Sequence, residues 1–132
     1  MDRLKMMVFG ATAGTAVMLV VMTAAPADAA GQDGTLHDGE FGFYYNSGCN
    51  GSMSDFATRK ADLAGYKFLS GGAGQNTPVK NNSACAANAR STQNARVYFN
   101  SNYLGANDLI PADQYGNLTN TYNENASFRW LG

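Results

Sequence analysis

Histidine is almost absent from this chain of 132 residues, in which His37 is the single one. A Ser-His-Asp triad needs a histidine as its base, and the HExxH zinc motif needs two. The run GGAG at residues 71–74 also lacks the Lys-Ser/Thr ending of a phosphate-binding loop. Enzyme activity is therefore not expected. The catalytic alternative is a pair of carboxylates. Its candidate members are Glu40, Asp55, Asp62, Asp108, Asp113 and Glu124.

Charged residues are few, at 14% of the chain, and nine Lys and Arg nearly balance ten Asp and Glu. The sequence has no basic stripe, which excludes a typical nucleic-acid-binding protein. Valine and isoleucine are scarce, whereas seven Tyr, seven Phe and 15 Gly accompany many Asn. Glycine and asparagine tolerate left-handed backbone conformations and populate turns. This composition predicts short strands joined by tight turns rather than long amphipathic helices.

The N-terminal part carries no charge over residues 6–27, which follow Arg3 and Lys5. A short basic start, an apolar stretch and a small-residue A-x-A site ending at Ala29 are typical of a secretory signal peptide. We expect residues 1–29 to be removed and the rest of the chain to be secreted. The alternative is a retained membrane anchor, because the uncharged run is long enough to span a bilayer.

The remaining chain is expected to be a flexible, glycine-rich lead-in at residues 30–39 and one small domain at residues 40–132. Cys49 and Cys85 both lie in this domain, and an even cysteine count in an exported chain favours a disulfide. The chain-entropy model gives such a bridge roughly 4 kcal/mol of stabilisation. The alternative is a metal-binding or nucleophilic pair, which needs nearby histidine, and His37 lies in the lead-in.

Short aromatic and aliphatic runs predict the strands. The stronger candidates are residues 41–46, 66–69, 96–100 and 127–131, and the weaker ones are residues 53–56, 75–80, 104–110 and 118–122. Residues 54–63 predict one helical turn, for which Ser54 and Asp55 are suitable caps. Residues 84–96 are small and polar and predict a connector between two halves.

The most informative pattern is a weak internal repeat. Residues 44–51 read YYNSGCNG, and residues 98–105 read YFNSNYLG. A second pair of similar motifs follows, with NNSAC at residues 81–85 and NENAS at residues 123–127. The domain is therefore predicted to contain two related halves.

The two units are expected at about residues 40–86 and 94–131. A four-stranded unit with one apolar face cannot bury that face alone, but two such units stacked face to face form a sandwich. We therefore expect an all-β sandwich of two similar four-stranded units.

An aromatic residue, four residues, an aromatic residue, one residue and a glycine form a pattern that resembles the Greek-key signature of βγ-crystallin domains. The second unit matches it with Tyr98, Tyr103 and Gly105, whereas in the first unit Cys49 replaces the second aromatic residue. The order of the motifs also resembles a family of small secreted bacterial metalloproteinase inhibitors with that fold, peptidase inhibitor family 36. The matching stretches are GEFGFYYNSG, LAGYKFLSGGAGQ, VKNNSACAAN, ARVYFNSNYLG and LTNTYNENASFRWL.

This resemblance implies a βγ-crystallin-like Greek-key sandwich and a secreted inhibitor of metalloendopeptidases, chiefly thermolysin-like ones. Its partner would be a secreted metallopeptidase, whose cleft it would occupy with a loop, and no cofactor would be required. We expect a monomer. The candidate loop lies between the two cysteines, and its glycine-rich tip spans residues 70–77. The residues assigned to it are Ser70, Gly71, Gly72, Ala73, Gly74 and Gln75.

The same resemblance implies calcium sites, which in βγ-crystallins combine two Asn or Asp residues with hydroxyl residues. The candidate ligands are Asn123, Glu124 and Ser127 in the second unit and Asn81 and Asn82 in the first. Cys85 replaces the hydroxyl of the first unit, and calcium prefers six to eight oxygen ligands. Only the second site is therefore expected to bind calcium, and weakly. The alternative is that these Asn residues form Asx-turns.

Two other functions are alternatives to inhibition. The first is a calcium-binding, crystallin-like structural or binding module without a protease target. The second is a sugar-binding or cell-wall-binding domain, in which exposed tyrosine rings would stack on sugars.

Overall fold

The computed structural model describes residues 6–8, 21–23 and 31–132, where the regular structure is nine β-strands and no helix. Two short strands, β1 (Met6–Val8) and β2 (Val21–Thr23), pair antiparallel. The rest of the expected signal peptide, residues 1–29, lies outside the described residues. Within the described part, no helix is long and apolar enough to cross a membrane.

The domain itself consists of short antiparallel strands. They are β3 (Phe41–Asn46), β4 (Asn50–Phe56), β5 (Cys85–Asn88), β6 (Ala95–Asn100), β7 (Leu104–Ile110), β8 (Gln114–Asn117) and β9 (Ser127–Trp130). One sheet has the strand order β4-β3-β5-β8, and the other has the order β7-β6-β9. The expected all-β architecture of two packed sheets is confirmed.

The two halves of the domain are joined by backbone pairing in both sheets. Although β8 belongs to the second half, it pairs with β5 of the first half, so that Cys85 lies opposite Asn117. In return, Lys60 of the first half bridges Phe128 of β9 through backbone hydrogen bonds of 3.0 and 3.1 Å. The β4-β3-β5-β8 sheet therefore contains strands of both halves, and the β7-β6-β9 sheet of the second half is bridged to the first half at Lys60. The sequence repeat predicts two self-contained units instead.

The hairpins that open the two halves have the same backbone conformation. A register shift occurs between Tyr44 and Asn46 in β3 and again between Tyr98 and Asn100 in β6. Three matching positions of the following turns have positive φ. They are Gly48 and Asn102 (73° and 63°), Cys49 and Tyr103 (54° and 62°), and Gly51 and Gly105 (80° and 88°). The two sequence motifs therefore fold into one kind of bent hairpin.

The core between the sheets is aromatic. Phe41 and Phe128, one from each sheet, stack with ring centroids 4.5 Å apart. Phe43 and Phe56 pack edge-on against Phe128. All four side chains are fully buried. Because each aromatic side chain buries a large apolar area, a few phenylalanines fill a core in which Val and Ile are scarce.

Two predictions about the chain between the strands are wrong. Residues 84–96 are more than a connector, because they contain β5. Residues 54–63 do not form a helical turn, because they end β4 and then cross to the second sheet. There Leu63 N donates to Ala126 O at 2.8 Å. Pairing with the second sheet therefore overrides the local helical signal.

Three further strand predictions, one of the stronger ones (residues 66–69) and two of the weaker ones, also differ from the structure. Residues 66–69 and 75–80 meet only at an isolated bridge between Lys67 and Pro78. Residues 118–122 form a turn that follows β8. These segments carry apolar residues because their side chains enter the core from loops.

Residues 31–39 are anchored to the first sheet, although the sequence predicts a flexible lead-in. Gly31 N donates to Glu40 Oε2 at 2.7 Å, and Asp33 N donates to Asp55 Oδ1 at 3.0 Å. The carboxylates of Asp33, Glu40 and Asp55 have oxygens within 4.8 Å of one another. The segment is thus held by hydrogen bonds to buried carboxylates.

Burial, and after it the charge of neighbouring carboxylates, raises the pKa values of Glu40 and Asp55. A carboxyl whose pKa is higher in the folded than in the unfolded protein stabilises the fold while it is protonated. This stabilisation is complete below the pKa of the unfolded chain, about 4.3 for Glu and 3.9 for Asp. It is lost as the pH rises through the pKa of the folded protein. In the wild type we expect the free energy of unfolding to fall as pH rises above about 4. Glu40→Gln is expected to make this fall smaller, whereas Glu124→Gln, at an exposed position, is expected to leave it unchanged. Urea unfolding at a series of pH values measures this, and equal pH profiles for both variants would contradict it.

Candidate functional site

The glycine-rich loop at residues 70–77 leaves the core at Phe68 and returns to it at Val79, and both side chains are fully buried. Phe68 N donates to Thr77 O at 2.9 Å, and Asn76 N donates to Phe68 O at 2.9 Å. This pair of backbone hydrogen bonds closes the base of the loop.

The tip of the loop rests on β4, which is an edge strand of its sheet. Ser52 N donates to Ala73 O at 2.9 Å, and the Ser52 hydroxyl donates to Ser70 O. Gly74 lies against the ring of Tyr45, so closely that a Cβ at this position would overlap ring atoms. The loop is therefore fixed at its tip as well as at its base.

The outward side of the loop is backbone and small or neutral side chains. The exposed residues are Gly71, Gly72, Ala73, Gln75 and Asn76. The loop contains no histidine, cysteine, lysine or carboxylate. It therefore offers groups for binding but none for general acid-base catalysis.

A disulfide fixes the hairpin turn beside the loop. Cys49 and Cys85 are bonded, with Cα atoms 4.9 Å apart, which confirms the predicted pairing. The loop touches this turn, because a Cβ on Gly72 would lie 3.4 Å from the carbonyl carbon of Gly51. The bridge spans 36 residues along the chain and so encloses the whole loop.

The second half fixes the matching turn without a covalent bond. Tyr103 N donates to Ser127 Oγ at 3.0 Å, and Ser127 Oγ donates to Asn100 O at 2.7 Å. Ser127 occupies the place in the repeat that Cys85 has in the first half. Its hydroxyl therefore has a structural role that competes with the predicted role as a calcium ligand.

The structure brings some of the predicted calcium ligands of the two units together. Asn81 and Glu124 line one cavity of about 240 Å³, but Ser127 is not among its lining residues. Lys80 lines the same cavity, and its ammonium group lies 2.9 Å from Asp62 Oδ1. An ion pair between Lys80 and Asp62 thus lies next to the cavity.

The other two predicted ligands are parts of turns. Asn82 Nδ2 donates to Pro78 O at 3.0 Å, and Asn123 N donates to Ser83 O at 2.9 Å. Asn123 has a φ of 55°, as expected for an asparagine in a tight turn. Asn82 and Asn123 thus take part in turns, which is the alternative interpretation of these residues, and we assign no function through calcium.

One carboxylate cluster brings together two members of the candidate catalytic set, Glu40 and Asp55, with Asp33. His37 N donates to Glu40 Oε1 at 2.8 Å, and Gly34 N donates to Asp55 Oδ1 at 2.7 Å. Glu40 and Asp55 are fully buried, so a substrate does not reach them. Sequence reasoning missed Asp33 because it lies in the glycine-rich lead-in and matches no motif.

A comparison with solved structures identifies the architecture. A structure from work on the "Evolution of the eye lens beta-gamma-crystallin domain fold" matches with a TM-score of 0.58 and 10% identity, over 76% of this chain and 93% of that chain. The chain therefore has a βγ-crystallin-like fold, as the hairpin motifs imply. At this identity the likeness concerns the fold alone. No family model and no curated protein sequence match the chain.

Calcium is expected to leave the stability of the protein unchanged, because Ser127 is engaged and Lys80 lies at the cavity. The measurement is the melting temperature in a chelator and in millimolar calcium. A ligand that binds the folded state raises this temperature, so a reproducible increase with calcium would show that the site forms after all.

Gly74→Ala is expected to destabilise the protein by about 1–3 kcal/mol, the usual range for overpacking. Gly74 has a φ of 87°, and a new Cβ would collide with Tyr45. Gly71→Ala is the matched control, because a Cβ there meets nothing within 4 Å. Chemical denaturation compares the two, and equal stabilities would mean that the loop is not held against Tyr45.

Proposed function

We propose that this protein is a secreted inhibitor of thermolysin-like metalloendopeptidases, which presents residues 70–77 to the protease cleft. The observation that carries the proposal is the double fixation of this exposed loop, at its base by Phe68 and at its tip by Ser52. The choice of target class is supported by the motif order that the chain shares with secreted metalloproteinase inhibitors of this fold.

Rigidity favours inhibition because ordering a loop on binding costs about 0.5–1.5 kcal/mol for each immobilised side chain. Within the loop, Thr77 N donates to Gly74 O at 2.9 Å, and Gln75 N donates to Gly72 O at 3.2 Å. The Gln75 side chain also donates to Leu69 O at 3.1 Å. The ordering cost is therefore largely met when the protein folds, before a protease is bound.

The loop tip is suited to a substrate cleft. Gly71, Gly72 and Ala73 are exposed and carry neither bulk nor charge. Proteins that bind extended segments do so largely through main-chain hydrogen bonds. Small side chains leave the backbone of the tip accessible for such bonds.

The disulfide is consistent with an oxidising, extracellular environment. The expected signal peptide would deliver the protein to that environment. A secreted inhibitor and a secreted peptidase would then occupy the same compartment.

The direct test titrates a thermolysin-like peptidase with the purified protein and measures residual activity on a small peptide substrate. We expect stoichiometric loss of activity at micromolar protein and a one-to-one complex in size-exclusion chromatography. Full residual activity at micromolar protein rejects the proposal for this class of peptidase.

Two arginine substitutions, each at an alanine, test the loop itself. Ala73→Arg places a long charged side chain on the exposed tip and is expected to weaken inhibition at least about tenfold, by blocking close approach. Ala64→Arg makes the same change at an exposed position outside the loop and is expected to inhibit like the wild type. Equal inhibition by both variants, at unchanged melting temperature, would place the contact elsewhere.

A further inference from the structure

A second concave surface lies away from the loop, where the end of β4, the segment after β5 and the end of β9 meet. This groove has a volume of about 290 Å³. Its lining residues are Ala57, Thr58, Arg59, Arg90, Gln93 and Trp130. Two arginines and no carboxylate face it, so the groove is positively charged in a chain whose net charge is −1.

Arg90 is held in one orientation. The central carbon of its guanidinium lies 3.5 Å from the centroid of the Trp130 ring. Arg90 Nη1 donates to Gln93 Oε1 at 2.8 Å, and Arg90 Nε donates to Gly39 O at 3.3 Å. Trp130 is fixed in turn, because its indole N–H donates to Asn88 Oδ1 at 3.1 Å. The guanidinium is therefore pre-organised by neutral groups.

Most of the hydrogen-bonding capacity of Arg90 is unused. A guanidinium has five N–H donors, and the two bonds above engage two of them. Burial lowers the pKa of Arg90, which reflects the loss of water around its charge. Within residues 31–132, the ion pairs are His37–Asp33 and Lys80–Asp62. Neither Arg90 nor Arg59 therefore has a carboxylate partner in this part of the chain.

We propose that this groove binds a carboxylate-bearing small ligand, which Arg90 recognises through paired N–H donors and Arg59 attracts as a second positive charge. A planar guanidinium matches the two oxygens of a carboxylate, and such bidentate pairs are among the strong hydrogen bonds of proteins. The carboxylate could belong to an acidic sugar or to the free end of a peptide. This site is separate from residues 70–77 and does not depend on protease inhibition.

The test uses Trp130, which is the single tryptophan of the chain and lines the groove. The purified protein is titrated with sodium glucuronate and with acetylglycine at constant ionic strength, while tryptophan fluorescence and the indole N–H resonance are followed. Glucose and acetylglycine amide are the neutral counterparts, and inorganic phosphate is the competing anion. We expect a saturable response at millimolar concentration to at least one carboxylate and none to the neutral counterparts. The responding carboxylate identifies the sugar or the peptide source.

Variants connect this response to the two arginines. Arg90→Lys removes the bidentate donors and Arg59→Ala removes the second charge, so each is expected to weaken binding about tenfold or more. Arg96→Lys and Arg96→Ala are the matched controls, because Arg96 bonds to Asn107 and does not line the groove. If Arg90→Lys does not fold, Arg59→Ala and Arg96→Ala still decide the question.

Three results would overturn the proposal. The first is the absence of a saturable response to both carboxylates. The second is an equal response to the neutral counterparts, or tighter binding of phosphate. The third is an equal loss of binding in Arg96→Ala and Arg59→Ala, which would indicate a general charge effect.

Discussion

Both halves of the domain depend on one backbone constraint, the left-handed turn that bends each opening hairpin. Glycine adopts positive φ without strain, but Cys49 and Tyr103 also adopt it, with φ values of 54° and 62°. Each of these residues is held in place, the first by the disulfide and the second by its hydrogen bond to Ser127. In the first half Gly51 follows this turn, and its neighbour Ser52 bonds through its backbone N–H to Ala73 O of the loop. The exposed loop thus derives its position from the bent hairpin.

The disulfide lies in the first half, where the connection between the strands is long and irregular. In the second half, the chain between β7 and β9 contains β8, which is held by the first sheet. In the first half, the chain between β4 and β5 contains no strand, and it includes residues 70–77. Closing a long irregular connection costs conformational entropy, and a disulfide lowers this cost by restricting the unfolded chain. The half of the repeat that has the disulfide is therefore also the half that contains the candidate loop, residues 70–77.

The sequence predicts correctly the strands and turns that are determined by their own residues. Residues 41–46 and 104–110 have the predicted strand bounds, and positive φ at Gly51 and Gly105 agrees with the glycines of the two motifs. It does not predict β5, because the residues CAAN have little intrinsic preference for strands. That segment is a strand because β3 and β8 pair with it on both sides. The fixed position of residues 70–77 is likewise not predicted, because it depends on the distant partners Ser52 and Tyr45, which no local pattern reveals.

The sequence does not predict the groove that Arg59, Arg90 and Trp130 line. Arg59, Arg90 and Trp130 come from three separate segments, so no motif joins them. Arg90 is half-buried, and removing part of the water around a charge without supplying a counter-ion costs free energy unless other groups compensate. Stacking on Trp130 and two neutral acceptors compensate Arg90 only in part, because cation–π contacts contribute about 0.5–2 kcal/mol. A neutral side chain could fill the same space without that cost. A guanidinium held there with free donors is therefore better explained by recognition of an anion than by packing.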